Sequence, residues 1–206
     1  VIGLAFTHPY TYTRLLSQAG HRVTHVWDDV PARLAGFAEE WGATPLTRPG
    51  AAPDGIDGVI ATGRHPERVD HAIGYLYRGI PTYSSKPMAT SLDGLRRLVH
   101  CVQRTGTPYL STSVLRFAPA IRALKRHLEA GTPGTLVSVR AVSAHDVGMY
   151  MLEPNTWQDD PDLGGGTIIT MGAHALEMLV TLLGPRIRSV SCKAGRRVYA
   201  QSLSED

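Results

Sequence analysis

Tyr83-Ser84-Ser85-Lys86-Pro87-Met88-Ala89-Thr90-Ser91-Leu92 joins two kinds of pattern. Before it runs Gly79-Ile80-Pro81-Thr82-Tyr83, a short apolar segment that reads as the end of a buried strand. After it Leu92, Leu95, Leu98, Val99 and Val102 recur at helical spacing, and Ser91 is placed to cap that helix. Between strand and helix lies one cation, Lys86. Pro87 fixes its own φ and drives the residue before it towards an extended conformation. The stretch therefore puts an ammonium on a stiff backbone at the mouth of a sheet, where open α/β folds place ligands. A lysine on a surface loop would satisfy the same residues.

Outward from this stretch the same alternation repeats. Residues 1–6 read as a first buried strand, and Thr7 and Pro9 as the cap and first turn of a helix that Gly20 ends. Residues 21–27 give a second strand, closed by Asp28-Asp29, and residues 31–41 a helix stopped by Gly42. A Pro/Gly/Ala-rich loop over 44–56 holds a short strand, and residues 57–61 form the next buried one. Thr62-Gly63-Arg64-His65-Pro66 leads into a helix to about residue 78, and residues 109–113 continue the order. This βαβα succession predicts an α/β fold: a parallel sheet with helices on both faces.

The pattern changes after Ser113, which predicts two domains, residues 1–113 and 114–206. Ile121, Leu124 and Leu128 mark one face of a helix over 119–129. Val137, Val139 and Ala141 alternate with Ser138 and Arg140, the period of a strand with one buried face over 135–143. An aromatic and acidic segment occupies 146–163. Gly164-Gly165-Gly166 then opens a helical pattern over 167–183, and residues 188–193 and 197–203 read as strands. The expectation is an α+β domain with a mainly antiparallel open sheet. The chain opens in what reads as mid-strand and stops just after another, as expected for part of a longer protein.

Hydrophobic residues make up 43% of the chain and charged residues 19%, enough for a packed core and too few charges for disorder. The net charge of +3 comes with no Lys/Arg block, which argues against nucleic-acid binding. No apolar run is long enough to span a bilayer. Cys101 falls in a helical pattern and Cys192 in a strand-like one; both read as small buried thiols in a reducing, cytoplasmic compartment.

Three stretches carry chemistry besides Lys86. Gly3-Leu4-Ala5-Phe6-Thr7-His8 stands where a dinucleotide fold has G-x-G-x-x-G and does not match it. A helix starting there still offers free N–H groups, the Thr7 hydroxyl and the His8 imidazole to a phosphate. An ordinary capped helix accounts for them equally well. Asp28 lies 25 residues past Gly3, near the spacing of the acid that takes a ribose hydroxyl, and so favours NAD over NADP. It also suits a loop aspartate capping the next helix. His174 and Glu177, three apart, share a helix face, with Thr170 four residues before His174. A histidine at a Gly-rich helix start can move a proton, although a packed core histidine is the commoner case. His145 and Asp146 with His174 are of metal-ligand type, but no spacing demands a metal, and none is expected.

The order of these pieces resembles the Gfo/Idh/MocA oxidoreductase family, which includes glucose-fructose oxidoreductase and inositol dehydrogenase. Lys86-Pro87-Met88-Ala89-Thr90-Ser91-Leu92 is similar to its E-K-P-L-A-T-S-L segment, and Arg116-Phe117-Ala118-Pro119 to its R-F-x-P. Gly164-Gly165-Gly166 through Glu177 is similar to its G-G-G…D-x-G-x-H-x-x-D segment. The resemblance covers nearly the whole chain. It implies a Rossmann domain that binds NAD or NADP, then an α/β domain with an open sheet through which members form homo-oligomers. It implies hydride transfer to or from a sugar, a polyol or a related carbonyl or alcohol. Lys86 would stand beside the nicotinamide, His174 would donate or accept the proton, and Thr62, Gly63 and His65 would pass near the nicotinamide ribose. Arg116, Tyr150, Trp157 and Thr170 would join His174 around the substrate. Ser85 and Thr170 replace the family's glutamate and aspartate, and Glu177 replaces an aspartate. These departures keep open a second reading, a catalytically degenerate member that binds a ligand or assists assembly.

Overall fold

The computed structural model describes residues 1–111, 113–148, 156–199 and 201–204. The chain divides into two compact units, Val1–Ser111 and Thr112–Asp206.

The first unit is a parallel sheet with helices. Its elements are α1 (His8–Gln18), β1 (His25–Val26), α2 (Pro31–Trp41), β2 (Thr44–Pro45), β3 (Val59–Ala61), α3 (His65–Leu76), β4 (Thr82–Ser84), α4 (Leu92–Thr105) and β5 (Tyr109–Ser111). β1 pairs with β2, and β3, β4 and β5 pair in that order, all parallel. Ile2 joins the two ladders, bridging Trp27 on one side and Ala61 on the other. Counting the Ile2 segment as the first strand, the order is 3-2-1-4-5-6, that of a dinucleotide-binding Rossmann sheet.

The first strand is shorter than its apolar composition predicts. Gly3, expected inside it, takes φ +89° and turns the chain out of the β region. Thr7, expected to cap α1, is itself helical and makes no side-chain cap. The strand expected over 21–27 pairs only at 25–27, because its neighbour β2 is two residues long and contains a proline with no N–H to give.

Three helix ends match their sequences closely. Gly42 closes α2 and Gly106 closes α4, both left-handed, and Ser91 Oγ accepts the Gly94 N–H at 3.0 Å. The face that α4 buries is Gly94, Leu98 and Cys101; Leu92 and Val99, expected in the stripe, are exposed. Leu98 and Cys101 pack on Val69, Ala72 and Leu76 of α3, with Leu98 alone contributing about 2 kcal/mol of burial. Ile2, Val59, Tyr75 and Ile80 form a second cluster, and Leu4, Val26, Phe37 and Ala43 a third. These hold the carboxyl ends of the strands in one row.

The second unit holds a 3₁₀ turn (Val114–Phe117), α5 (Pro119–Glu129), a 3₁₀ turn (Thr156–Gln158), a π-helical turn (Ile168–Gly172) and α6 (Ala173–Leu183). α5 and the first 3₁₀ turn pack on α6. The strands expected over 135–143, 188–193 and 197–203 do not form among the described residues. A strand needs a neighbour for its backbone groups. Here the alternating valines face outward, with Val137 92%, Val190 82% and Val198 75% exposed. The acidic segment is fastened by Asp159, whose carboxylate accepts the N–H groups of Leu203 at 2.7 Å and Ser204 at 2.9 Å, the Ser204 hydroxyl at 2.7 Å and the Ser202 hydroxyl. Cys101 is buried, but Cys192, expected in a covered strand, is exposed, since that strand has no ladder. No described helix is long and apolar enough to cross a membrane.

Candidate active site

The named residues of the first unit gather where the strands end. Lys86 comes directly after β4, on a turn whose Lys86–Pro87 peptide bond is cis. Beneath it lies Arg68 of α3, 1% exposed. The Arg68 Nη1 group donates to the carbonyls of Ser85 at 2.7 Å, Lys86 at 3.0 Å and Pro87 at 3.1 Å. Its Nε and Nη2 donate to the Gly63 carbonyl at 3.1 and 2.9 Å. Burial, with the like charge of Arg68 behind it, lowers the Lys86 ammonium to about 8. Burial likewise lowers Arg68 to about 10. Lys86 is thus still a cation at neutral pH but close to releasing its proton.

Thr62 and Gly63 meet the first strand at short range. The Thr62 hydroxyl donates to the Gly3 carbonyl at 2.6 Å, and both N–H groups donate to the Ile2 carbonyl, at 2.8 and 3.2 Å. His65 is 2% exposed and stacks on Phe6, which stacks in turn on His8. His8 Nδ1 and Ser85 Oγ are 3.0 Å apart. So His8, at the third position of the glycine fingerprint, and Ser85, at the glutamate position before the lysine, are hydrogen-bonded partners here.

Asp28 is buried at the end of β1. Its Oδ2 accepts the Leu4 N–H at 2.6 Å, and its Oδ1 the Val30 N–H and the Arg33 Nε–H, both at 2.9 Å. Three of the roughly four acceptor positions of the carboxylate are taken, and the first turn is fastened to the second strand. Asp29 is the more open acid, paired with Arg33 at 3.2 Å and Arg64 at 2.6 Å.

A dinucleotide fits this strand end on two observations. The first turn of α1 has no side-chain cap and no acidic residue, which leaves the positive end of the helix dipole for a phosphate. Gly3 supplies the tight turn that the first fingerprint glycine provides. A cavity of about 800 Å³ in the same unit lies at the opposite ends of the strands, against Val23, Val59, Thr82 and Tyr109, and is not lined by His8, Asp28, Thr62, Gly63, His65 or Lys86.

In the second unit His174 lies in the first turn of α6. Its Nδ1 is 2.6 Å from Ser113 Oγ. The Ser113 N–H donates to the Glu177 carboxylate, and Glu177 forms an ion pair with Arg116 Nε at 3.3 Å. Ser113 Oγ also accepts the Leu115 N–H at 3.3 Å, so its own proton is available to Nδ1. That hydroxyl also keeps an acceptor lone pair, so it can serve either tautomer of the ring, and in both the contact orients the imidazole with Nε2 on its far side. Arg116 pairs with Glu177 from the 3₁₀ turn. Thr170 is buried, its hydroxyl donating to the Gly166 carbonyl at 2.8 Å, and Trp157 is 9% exposed. Tyr150 lies outside the described residues. Among the described residues no group of three or more His, Cys, Asp or Glu could hold a metal.

Sequence reasoning missed two residues. Arg68 sits on a buried helix face with His65, Val69, Ala72, Tyr75 and Leu76, and a cation on a mainly apolar face was the signal. Ser113 lies 61 residues from His174 and carries no local signal.

Comparison with known proteins bears on the family and the fold. Residues 1–112 match the oxidoreductase family with an NAD-binding Rossmann fold, and residues 121–206 match the GFO/IDH/MocA C-terminal domain. Inositol 2-dehydrogenase 2 of Saccharopolyspora erythraea is 30% identical over 195 residues, 92% of this chain and 54% of that protein. Trans-1,2-dihydrobenzene-1,2-diol dehydrogenase of Bos taurus is 25% identical, over 95% of this chain and 58% of its own length. The chain thus spans about half the length of the curated relatives it matches. In fold it is similar to the WlbA dehydrogenase of Bordetella pertussis, solved with NADH and UDP-GlcNAcA (TM-score 0.80, 19% identity, 89% of this chain and 54% of that one). It is also similar to myo-inositol 2-dehydrogenase of Lactobacillus plantarum (TM-score 0.78, 16% identity, 89% and 55%). Matched over residues 1–112 and 121–206 by the two domains in succession, the chain belongs to the GFO/IDH/MocA oxidoreductase family.

Proposed function

We propose that this chain carries the active-site half of an NAD(P)-dependent dehydrogenase acting on a sugar, polyol or related alcohol or carbonyl. The observation that supports this most is the Lys86 turn, a half-buried ammonium lowered to about 8 at the carboxyl end of a Rossmann strand. The nicotinamide supplies or accepts the hydride. Lys86 holds the reacting oxygen and offsets the charge that grows there as its proton leaves. His174, its Nδ1 held by Ser113, exchanges that proton through Nε2. Thr7, His8 and the uncapped start of α1 receive the pyrophosphate. Thr62, Gly63 and His65 border the nicotinamide ribose. The adenosine ribose reaches the end of β1, where the remaining acceptor position of Asp28 and the neighbouring Asp29 favour NAD. Arg116, Tyr150, Trp157 and Thr170 belong to the substrate side, Arg116 through its pair with Glu177. We place the protein in the cytoplasm, as a homo-oligomer assembled through the second unit.

The test is direct. The full-length protein, titrated with NADH, is expected to quench its tryptophan fluorescence, and Lys86→Met to bind NADH but lose turnover on a panel of polyols. Turnover retained in Lys86→Met removes Lys86 from the mechanism. Cofactor binding with no hydride transfer in the parent, across the panel, favours the degenerate reading suggested by Ser85 and Thr170.

A further inference from the structure

Arg68 leads the fully buried side chains described in this protein when they are ranked by size, and the described ion pairs include none to it. A buried guanidinium normally meets a carboxylate. This one instead meets four carbonyl oxygens drawn from two separate loops: Gly63 on one side and Ser85, Lys86 and Pro87 on the other. The planar fork suits this role. Its Nε and Nη2 edge meets one carbonyl while Nη1, at the other corner, shares its protons among three. A lysine is a point donor and cannot reach both loops at once.

We propose that Arg68 is the positioning residue for Lys86, its guanidinium tying the turn that carries the ammonium to the Gly63 loop. The catalytic side of this inference rests on the role given to Lys86 above. One side chain has two effects. The backbone beneath Lys86 cannot drift from the Thr62–Gly63 loop without breaking charge-assisted hydrogen bonds, so the two loops that flank the strand ends move as one piece. A permanent cation beneath Lys86 also pushes the ammonium towards losing its proton, adding to the effect of burial. The other titratable groups packed around Arg68 and the turn are Tyr12 and His8 of α1, Tyr83 of β4 and Tyr109 of β5. Burial raises Tyr109, so its phenol stays neutral while Lys86 titrates. With Ser85 in place of the family's glutamate, no carboxylate stands at that position to cancel the guanidinium.

The experiment reads Lys86 itself, apart from catalysis. The full chain is pulsed with acetic anhydride across a pH series, and acetylation at Lys86 is quantified by peptide mass spectrometry. The parent is expected to show a midpoint near 8. In Arg68→Gln the midpoint is expected to rise by at least about half a pH unit, because a like charge is gone. Arg68→Lys keeps the charge and the midpoint but labels faster, since one ammonium cannot hold both loops. A folded Arg68→Gln protein with the parent's midpoint and rate overturns the proposal. Should Arg68→Gln not fold, Arg68→Lys decides by its labelling rate. The unaltered protein gives a third readout: the Arg68 guanidinium protons are expected to exchange with solvent far more slowly than those of Arg22, and equal rates overturn the proposal. Turnover surviving in Lys86→Met would sink the catalytic role of Lys86 while leaving all three readouts intact, so the two failures are distinguishable.

Discussion

Gly3→Ala puts the whole strand-end arrangement under test. Gly3 has φ +89°, and a Cβ built there would lie 2.2 Å from Gly63 Cα and 2.3 Å from Gly63 N. Carbon atoms in contact sit about 3.5–4.0 Å apart, so the two backbones must part by more than about 1 Å. Neither can yield by changing a rotamer, because both are main chain. The parting works against the Thr62 hydroxyl on the Gly3 carbonyl and the two N–H groups on the Ile2 carbonyl. The left-handed conformation costs an alanine about 1–2 kcal/mol, overpacking about 1–3 kcal/mol, and a strained hydrogen bond about 1 kcal/mol. Together these predict a loss of roughly 3–6 kcal/mol. The control is Gly20→Ala: φ is +83° there, but nothing lies within 4 Å of the added Cβ. It carries only the conformational cost, about 1–2 kcal/mol. Urea unfolding monitored through Trp27 and Trp41, both in the first unit, measures the two variants side by side. A Gly3→Ala variant within about 1 kcal/mol of Gly20→Ala would refute the close approach of the two loops.

Two further outcomes are expected. Lys86 has a folded-state value of about 8, below its ordinary 10.5, so its burial destabilises the protein at neutral pH, and the deficit is relieved as pH rises from 8 towards 10.5. Lys86→Met should therefore be more stable than the parent at pH 7, by up to about 3 kcal/mol, with the gap closing over that window; a pH-independent difference in urea midpoints would contradict this. Ser113→Ala removes the partner of His174 Nδ1 while keeping the backbone bond to Glu177. The tautomer balance of its ring should shift by ¹⁵N spectroscopy, and kcat should fall roughly tenfold with little change in KM; an unchanged balance would remove Ser113 from the site.

The parallel sheet was legible because the segments around Ile2, Val59 and Ile80 are compact apolar runs punctuated by Gly, Pro or a capping residue. Gly42 and Ser91 mark helix ends in the sequence and in space for the same physical reasons. Composition overstated the first strand, since apolar residues say nothing of the φ that Gly3 adopts. The second unit misled in a different way. Alternation over 135–143 shows which residues would share a face, but whether a neighbouring strand exists to receive that face is a tertiary fact. Lys86 could be found by its local setting. Arg68 and Ser113 act across 18 and 61 residues, and no window of sequence contains both ends of those bonds.

The π-helical turn over Ile168–Gly172 carries a consequence for how this helix can change. Each wide turn holds one residue more than an α-turn, so everything before Gly172 is rotated relative to the α-helical residues beyond it. Thr170 and His174, four apart in sequence, do not align as they would on a regular helix. Losing one residue from this turn would rewind it and swing a new side chain under the imidazole. In this segment chain length is thus a variable in its own right, setting which residues share a face with the imidazole.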